Sequence, residues 1–305
     1  MGHDHGAAHG TAAAAHRGRL AVVLALTGSV FVVELVGAML SGSLALLADA
    51  GHMATDAVGI GMALGAVSLA QRPARGRRTF GWQRVEVLAA VANGLLLLGV
   101  GGYVVVEAVR RVGDPPEIHS GWMLGVATLG LLVNLGSLAL LHGGQRESLN
   151  TRGAYLEVVG DALGSVAVIV AAVVIVTTGW TAADVVASLA VGALVLPRAW
   201  TLLREAFDVL LEAAPRGVDL VEVRTHVLGV PGVLDVHDLH AWTITSGLPV
   251  LSAHVVVSED VLADGHGGRV LDALCSCLGS HFDLEHCTLQ LESAGHSEHE
   301  SPVHD

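Results

Sequence analysis

Six stretches of this chain are long and apolar enough to cross a bilayer, and nothing else in the sequence constrains its fold as much. A span needs about 20 mostly apolar residues to cover the hydrocarbon. The stretches run over 20–40, 44–70, 85–109, 122–142, 154–177 and 181–203. The sixth is the least regular, because Asp184, Pro197 and Arg198 interrupt it. In hydrocarbon every backbone N–H and C=O has to be satisfied within the chain, so spans of this length are helices. The composition agrees: 15% of the residues are charged, against about a quarter in soluble domains. No cleavable signal sequence is expected, since the first apolar stretch is as long as a full span and follows a polar tail.

Charge divides the chain in two. The basic residues are all arginine, and 13 of the 16 fall within 1–204 beside 12 acids, for a net of +1. Residues 205–305 hold 3 arginines and 17 acids, for a net of −14. That sign excludes a basic nucleic-acid binder. The arginines also set an orientation. Arg17 and Arg19 precede span one, Arg72, Arg75, Arg77, Arg78 and Arg84 lie between spans two and three, and Arg146 and Arg152 lie between spans four and five. Connections on the other side carry fewer, so both termini and the acidic part are expected in the cytoplasm. The three cysteines, Cys275, Cys277 and Cys287, form no disulfide framework, which suits a reducing compartment. Cys275 reads as a helix-packing residue. The tails at 1–19 and 293–305 hold seven of the 17 histidines. They read either as disordered tails or as weak metal-gathering segments.

Ionisable side chains inside spans are costly, so each needs a reason. Span two carries Asp49, His52 and Asp56, and span five carries Glu157 and Asp161. His52 and Asp56 are four apart, as are Glu157 and Asp161, and residues at that spacing share a helix face. Two such helices facing each other offer one imidazole and three carboxylates at one depth, a donor set suited to a tetrahedral divalent ion. The blander reading is a set of polar helix-packing groups or the lining of a water cavity; the matched pairs favour the ion. Asp49 either stands behind His52 and orients its ring or is a helix-end group near the far edge of the membrane. Glu34, Asn93 and Asn134 read as interhelical hydrogen bonders, and glycines such as Gly59, Gly160 and Gly164 as points of close helix approach.

Residues 205–292 read as a separate domain. Helices are expected over 219–229 and 268–278, and strands over 233–245, 250–258 and 285–292. The order α-β-β-α-β makes a two-layer α+β sandwich. His237 and His240 flank Asp238 on the first strand, His254 lies on the second, and Glu285, His286 and Glu292 lie on the third.

Four stretches carry a family resemblance: SGSLALLADAGHMATDA (41–57), RRTFGWQRVEVLAAVANGLLLL (77–98), RGAYLEVVGDALGSVAVI (152–169) and VHDLHAWTITSGLPVLSAHV (236–255). The chain resembles the cation diffusion facilitator family over about residues 20–292, and in particular its bacterial zinc-exporting branch. The resemblance implies a six-span domain over 20–204 and a ferredoxin-like cytoplasmic domain over 205–292 that binds metal and dimerises. It implies a homodimer in the inner membrane that exchanges a divalent metal for protons. It maps the transport site onto His52, Asp56, Glu157 and Asp161, and metal ligands of the cytoplasmic domain onto His237, His254, Glu285 and Glu292. One position departs: family members of the zinc type carry His where Glu157 stands. Carboxylate oxygen is harder than imidazole nitrogen, so cadmium, cobalt or manganese enter beside zinc as cargo.

The ligands themselves imply the coupling. Three carboxylates and a neutral imidazole around a divalent ion leave one residual negative charge. Emptied, the same carboxylates crowd a low-dielectric site, take up protons and release them to the next ion. Carriers built this way alternate access around a site near the midplane. A passive channel needs rings of like charge or a carbonyl filter, which tight ligation does not supply. A membrane hydrolase needs a catalytic pair beside the metal, and no motif of that kind is present. A sensor would need only the soluble part.

Overall fold

The computed structural model describes residues 6–113, 116–142, 149–263, 265–284 and 286–297. Six long helices come first: α1 (Gly6–Ser41), α2 (Leu44–Ala70), α3 (Val85–Arg111), α4 (Ser120–His142), α5 (Leu149–Thr178) and α6 (Ala182–Leu210). All six are long and apolar enough to span a membrane, at mean hydropathies from 1.5 to 2.5. Helix α1 starts at Gly6, well before the apolar stretch at 20–40. The backbone of much of the segment expected as an irregular tail is therefore helical, and its run Ala12–Ala15 is the best helix-forming composition available. Pro197 sits inside α6 without ending it.

The chain divides into two compact units, Met1–Met62 with Ala92–Leu202, and Ala63–Val91 with Leu203–Asp305. In the first unit α4 packs against both α1 and α5. Small and β-branched side chains fill the seams: Ala38, Ala45, Ala127, Val168, Ala171 and Ala172 in one cluster, and Ala48, Leu97, Val104, Val191 and Ala199 in another. The opposite faces expose Val32, Val106, Leu132, Val170 and Val186 by more than half. A helix apolar all round, with its small side chains inward, is built for a lipid surround.

Asp184 resolves one apparent defect of span six. It stands in the first turn of α6, fully buried, and receives the start of α2. Ser43 Oγ donates to its Oδ1 at 2.5 Å, Leu44 N to its Oδ2 at 2.8 Å and Ala45 N to its Oδ1 at 3.2 Å. A carboxylate at a helix N-terminus satisfies amides that have no partner within the helix and meets the positive end of its dipole.

In the second unit α7 (Leu220–Leu228), capped by Asp219 through Val221 N, leads into a three-stranded sheet. Its strands are β1 (Val233–Thr243), β2 (Pro249–Val257) and β3 (His286–Glu292), in the order β1-β2-β3. β1 and β2 form an antiparallel hairpin, and β3 joins β2 in parallel. A parallel partner requires a crossover. Between β2 and β3 the chain runs through the short α8 (Glu259–Ala263) and then α9 (Gly267–Phe282); α10 (Ala294–Ser297) follows β3. The expected α-β-β-α-β order holds, with α8 and α10 added as short turns too small to show a helical period. Val223 and Val227 of α7, Leu251 and Val255 of β2, and Leu274 and Leu278 of α9 make one core. Gly232 turns the chain into β1 at φ 93°, where a Cβ would also meet Val261 at 2.8 Å.

The segment joining α2 to α3 belongs to this second unit. Arg84 pairs with Glu212 at 2.8 Å, and Thr245 Oγ1 donates to Glu86 Oε2 at 2.5 Å. Arg78 stacks on the Trp82 ring at 3.5 Å.

Replacing Asp184 by Ala strands three donors at the start of α2. Thermal unfolding in detergent should show a clear drop in Tm, corresponding to about 2–4 kcal/mol. Asp184→Asn keeps an acceptor and should recover at least half of the loss.

Candidate metal-ion site

Helix periodicity puts the polar residues of α2 and α5 on facing stripes. His52 Nε2 lies 3.4 Å from Asp56 Oδ2 and 3.7 Å from Asp161 Oδ1. The three side chains are 9%, 18% and 3% exposed. Asp56 and Glu157 meet across the two helices. Glu157 also receives Arg198 of α6, whose Nη2 is 3.4 Å from Glu157 Oε1. The structure therefore brings all four expected residues into one region, with His52, Asp56 and Asp161 grouped around the imidazole and Glu157 shared with a guanidinium. No three donor atoms of this group lie within 4.8 Å of one another among the described residues. Buried atoms here still lack a hydrogen-bond partner, namely His52 Nδ1 and Asp161 Oδ1. Unpartnered buried acceptors call for a cation or a proton.

Arg198 was legible only as an interruption of span six. The signal lay in its depth, since an arginine among apolar residues needs an acid across from it.

Other expectations for the spans are corrected. Asp49 is not a hydrogen-bonded partner of His52. It is 2% exposed, and it packs on α5 at Gly164, where a Cβ would come 2.8 Å from its Oδ1. Nδ1 of His52, the atom an orienting partner would hold, has no hydrogen-bond partner. Glu34 Oε2, Asn93 Oδ1 and both amide atoms of Asn134 likewise make no hydrogen bond, so these three residues do not act as interhelical bonders here. Two of them pack on glycines: the Glu34 carboxylate on Gly130, and the Asn93 carboxamide on Gly59.

A second cluster lies on the sheet. His237 and His254 are register partners on β1 and β2, with ring centroids 5.2 Å apart. A register shift follows His237, with Asp238 at φ 49°. The parallel β3 supplies Glu292, paired with Val256 and 4% exposed. His237 Nε2 is 2.5 Å from Glu292 Oε1, and His254 Nδ1 is 3.7 Å from Glu292 Oε2. One ligand atom from each of the three residues can be chosen so that all lie within 4.8 Å of one another. Two imidazole nitrogens and a carboxylate oxygen at that spacing fit a borderline divalent ion such as zinc. Around them, Asp238 meets His240 at 2.9 Å and His254 at 3.9 Å, and His296 of α10 is 4.0 Å from Glu292. Asp238 and His296 were not singled out as ligands, because neither a bulge nor a short terminal helix shows in the residue pattern. Glu285 lies outside the described residues.

The cysteines also differ from expectation. Cys275 is exposed, and its Sγ is 3.1 Å from that of Cys287, so it is not a packing residue. Burial and the contact with Cys275 push the Cys287 thiol up to about 11.

Comparison with known proteins identifies the family of both parts of the chain. A model of the cation efflux transmembrane domain matches residues 20–211, and one of the cation efflux cytoplasmic domain matches residues 215–294. The chain belongs to the cation diffusion facilitator family. Members are cation efflux transporters and not enzymes, so no hydrolytic role is assigned to either cluster. The metal cation efflux system protein CzcD of Cupriavidus metallidurans is 47% identical over 275 residues, 90% of this chain and 86% of that one. The zinc transporter ZitB of Escherichia coli is 42% identical over 276 residues, 90% of this chain and 87% of that one. A cadmium, cobalt and zinc/H(+)-K(+) antiporter of Bacillus subtilis is 37% identical over 299 residues, 97% of this chain and 94% of that one.

The close approach of α2 and α5 yields a paired test. Gly164→Ala drives a methyl into the buried Asp49 carboxylate and should lower stability by about 1–3 kcal/mol. Gly160→Ala, one turn away with nothing within 4 Å of the new Cβ, should instead raise it by about 0.5–1 kcal/mol. Thermal melts of the two variants in detergent should move in opposite directions.

Proposed function

We propose that this chain is a proton-coupled antiporter that exports a divalent cation of the zinc group from the cytoplasm, as a homodimer in the inner membrane. The observation that carries the reading is the His52 imidazole set between Asp56 and Asp161, buried, with Glu157 beside them. These are the transport ligands. The family membership supports a cation as cargo, and the relatives named for zinc, cadmium and cobalt support its class. The name of the Bacillus relative includes proton exchange, in line with the ligand chemistry. Ionised carboxylates inside a helix bundle accept either a metal or protons, and exchange of one for the other makes release on the far side possible. The arginine bias of the loops supports cytoplasmic termini and a cytoplasmic C-terminal domain.

In that domain His237, His254 and Glu292 would hold a resident metal, and Glu292 would be its anionic ligand. The bound ion would offset part of the acidic charge of residues 205–305 and so ease the approach of two copies. Bound there, it supplies charge and a fixed link between β1, β2 and β3.

Reconstituted into vesicles with an opposing proton gradient, the wild-type chain should move Zn²⁺ in a saturable way. Asp56→Ala and Asp161→Ala should each lower that flux at least about a hundredfold, and flux that survives both would sink the assignment. For the sheet cluster, His237→Ala or His254→Ala should weaken one class of zinc binding in the full chain by at least about tenfold, read by competition with a chromophoric chelator. His281→Ala, outside the cluster, should leave it unchanged.

A further inference from the structure

Arg198 has no place in the ligand set, yet it reaches Glu157, the third carboxylate of that set. It stands on α6 just after Pro197, and its Nη2 is 3.4 Å from Glu157 Oε1. Its charge acts on His52, Asp56 and Asp161 as well as on Glu157. A site with three carboxylates and a divalent ion keeps one negative charge, and a guanidinium beside it removes that residue of charge. An imidazole in place of Glu157 would leave two carboxylates, already neutral with the ion, and would need no such partner. The acid and the arginine thus belong together as an alternative to a neutral ligand at residue 157.

We propose that Arg198 is a positioning residue for the cargo. It draws the Glu157 carboxylate toward α6 and so limits how tightly the loaded site holds its ion. This rests on reading His52, Asp56, Glu157 and Asp161 as the transport site. A carrier has to release what it binds, and a fixed cation that competes for one carboxylate weakens binding and speeds release together. Arginine suits the task because it stays charged, and it meets Glu157 through a single nitrogen, so charge and not fork geometry carries the effect.

The experiment compares Zn²⁺ flux into proteoliposomes for the full chain, R198Q, R198M and R198K, each with Glu157 and again with Glu157→His. With Glu157 present, R198Q and R198M should lower KM for Zn²⁺ about fivefold and lower turnover by a similar factor, the size of a partly screened ion pair. R198K keeps the charge and should stay within about twofold of the parent. In the Glu157→His background the same substitutions should shift both quantities less than about twofold. Two neutral replacements of different polarity are used so that misfolding of one does not decide the result. Equal effects in both backgrounds, or a loss of turnover with KM unchanged, would mark Arg198 as a helix anchor and overturn the proposal. Flux indifferent to Asp56→Ala and Asp161→Ala would show the transport reading itself to be wrong, and this inference with it.

Discussion

A carboxylate in hydrocarbon is tolerable only against a counter-charge, a proton or a strong donor, and the interior of the six-helix domain is organised around that cost. Glu34, Asp49, Asp161 and Asp184 are all buried to within 3% of full enclosure. Two of the four meet the cost through protein partners. Asp184 takes the amides at the start of α2, which are short of acceptors in any helix. Asp161 faces His52. Glu157, less enclosed, has Arg198. Asp49 and Glu34 lie on glycines of neighbouring helices, which have no side chain to displace them. Glycine at Gly130 and Gly164 is therefore less a matter of backbone freedom than of room for a carboxylate.

The sheet cluster obeys a different rule, since its residues come from strands. Alternation alone puts His237 and His254 on one face, but only the antiparallel register makes them direct neighbours. Glu292 arrives from a strand that runs parallel to β2 after a crossover through α9. The register shift beyond His237 then turns Asp238 toward His240 and His254. Leu289 and Leu291 of β3 pack on the helical layer while Glu292 takes part in the cluster, so one short strand serves both the core and the candidate ligands.

Much of this was legible in the residues. Spans are the easiest elements to read, because water is absent and length and apolarity decide alone; all six were visible. The i,i+4 pairs of α2 and α5 were legible for the same reason, as a charge within a span has so few explanations. The misreadings share a cause. Asp49, Glu34, Asn93 and Asn134 were judged by residue type, and their polar atoms were assumed to find one another. Their partners depend on helix rotation and crossing, which no local pattern encodes. Asp184 and Arg198 looked like flaws in span six for the same reason: the groups that justify them, 139 to 141 residues away for Asp184 and 41 for Arg198, lie on other helices.

What the sequence determined by itself was the division into an apolar six-helix part and an acidic α+β part, and the family to which both belong. These follow from composition, period and motif, which are properties of short windows of chain. Only the tertiary structure decided that Glu157 is shared with Arg198, that Asp184 caps α2, that Asp49 rests on Gly164 and that Glu292 meets two histidines. Those are pairings across long loops. They are fixed by which helix faces and strand edges meet, and burial then makes each pairing matter, because a charge removed from water has to be answered by whatever stands next to it.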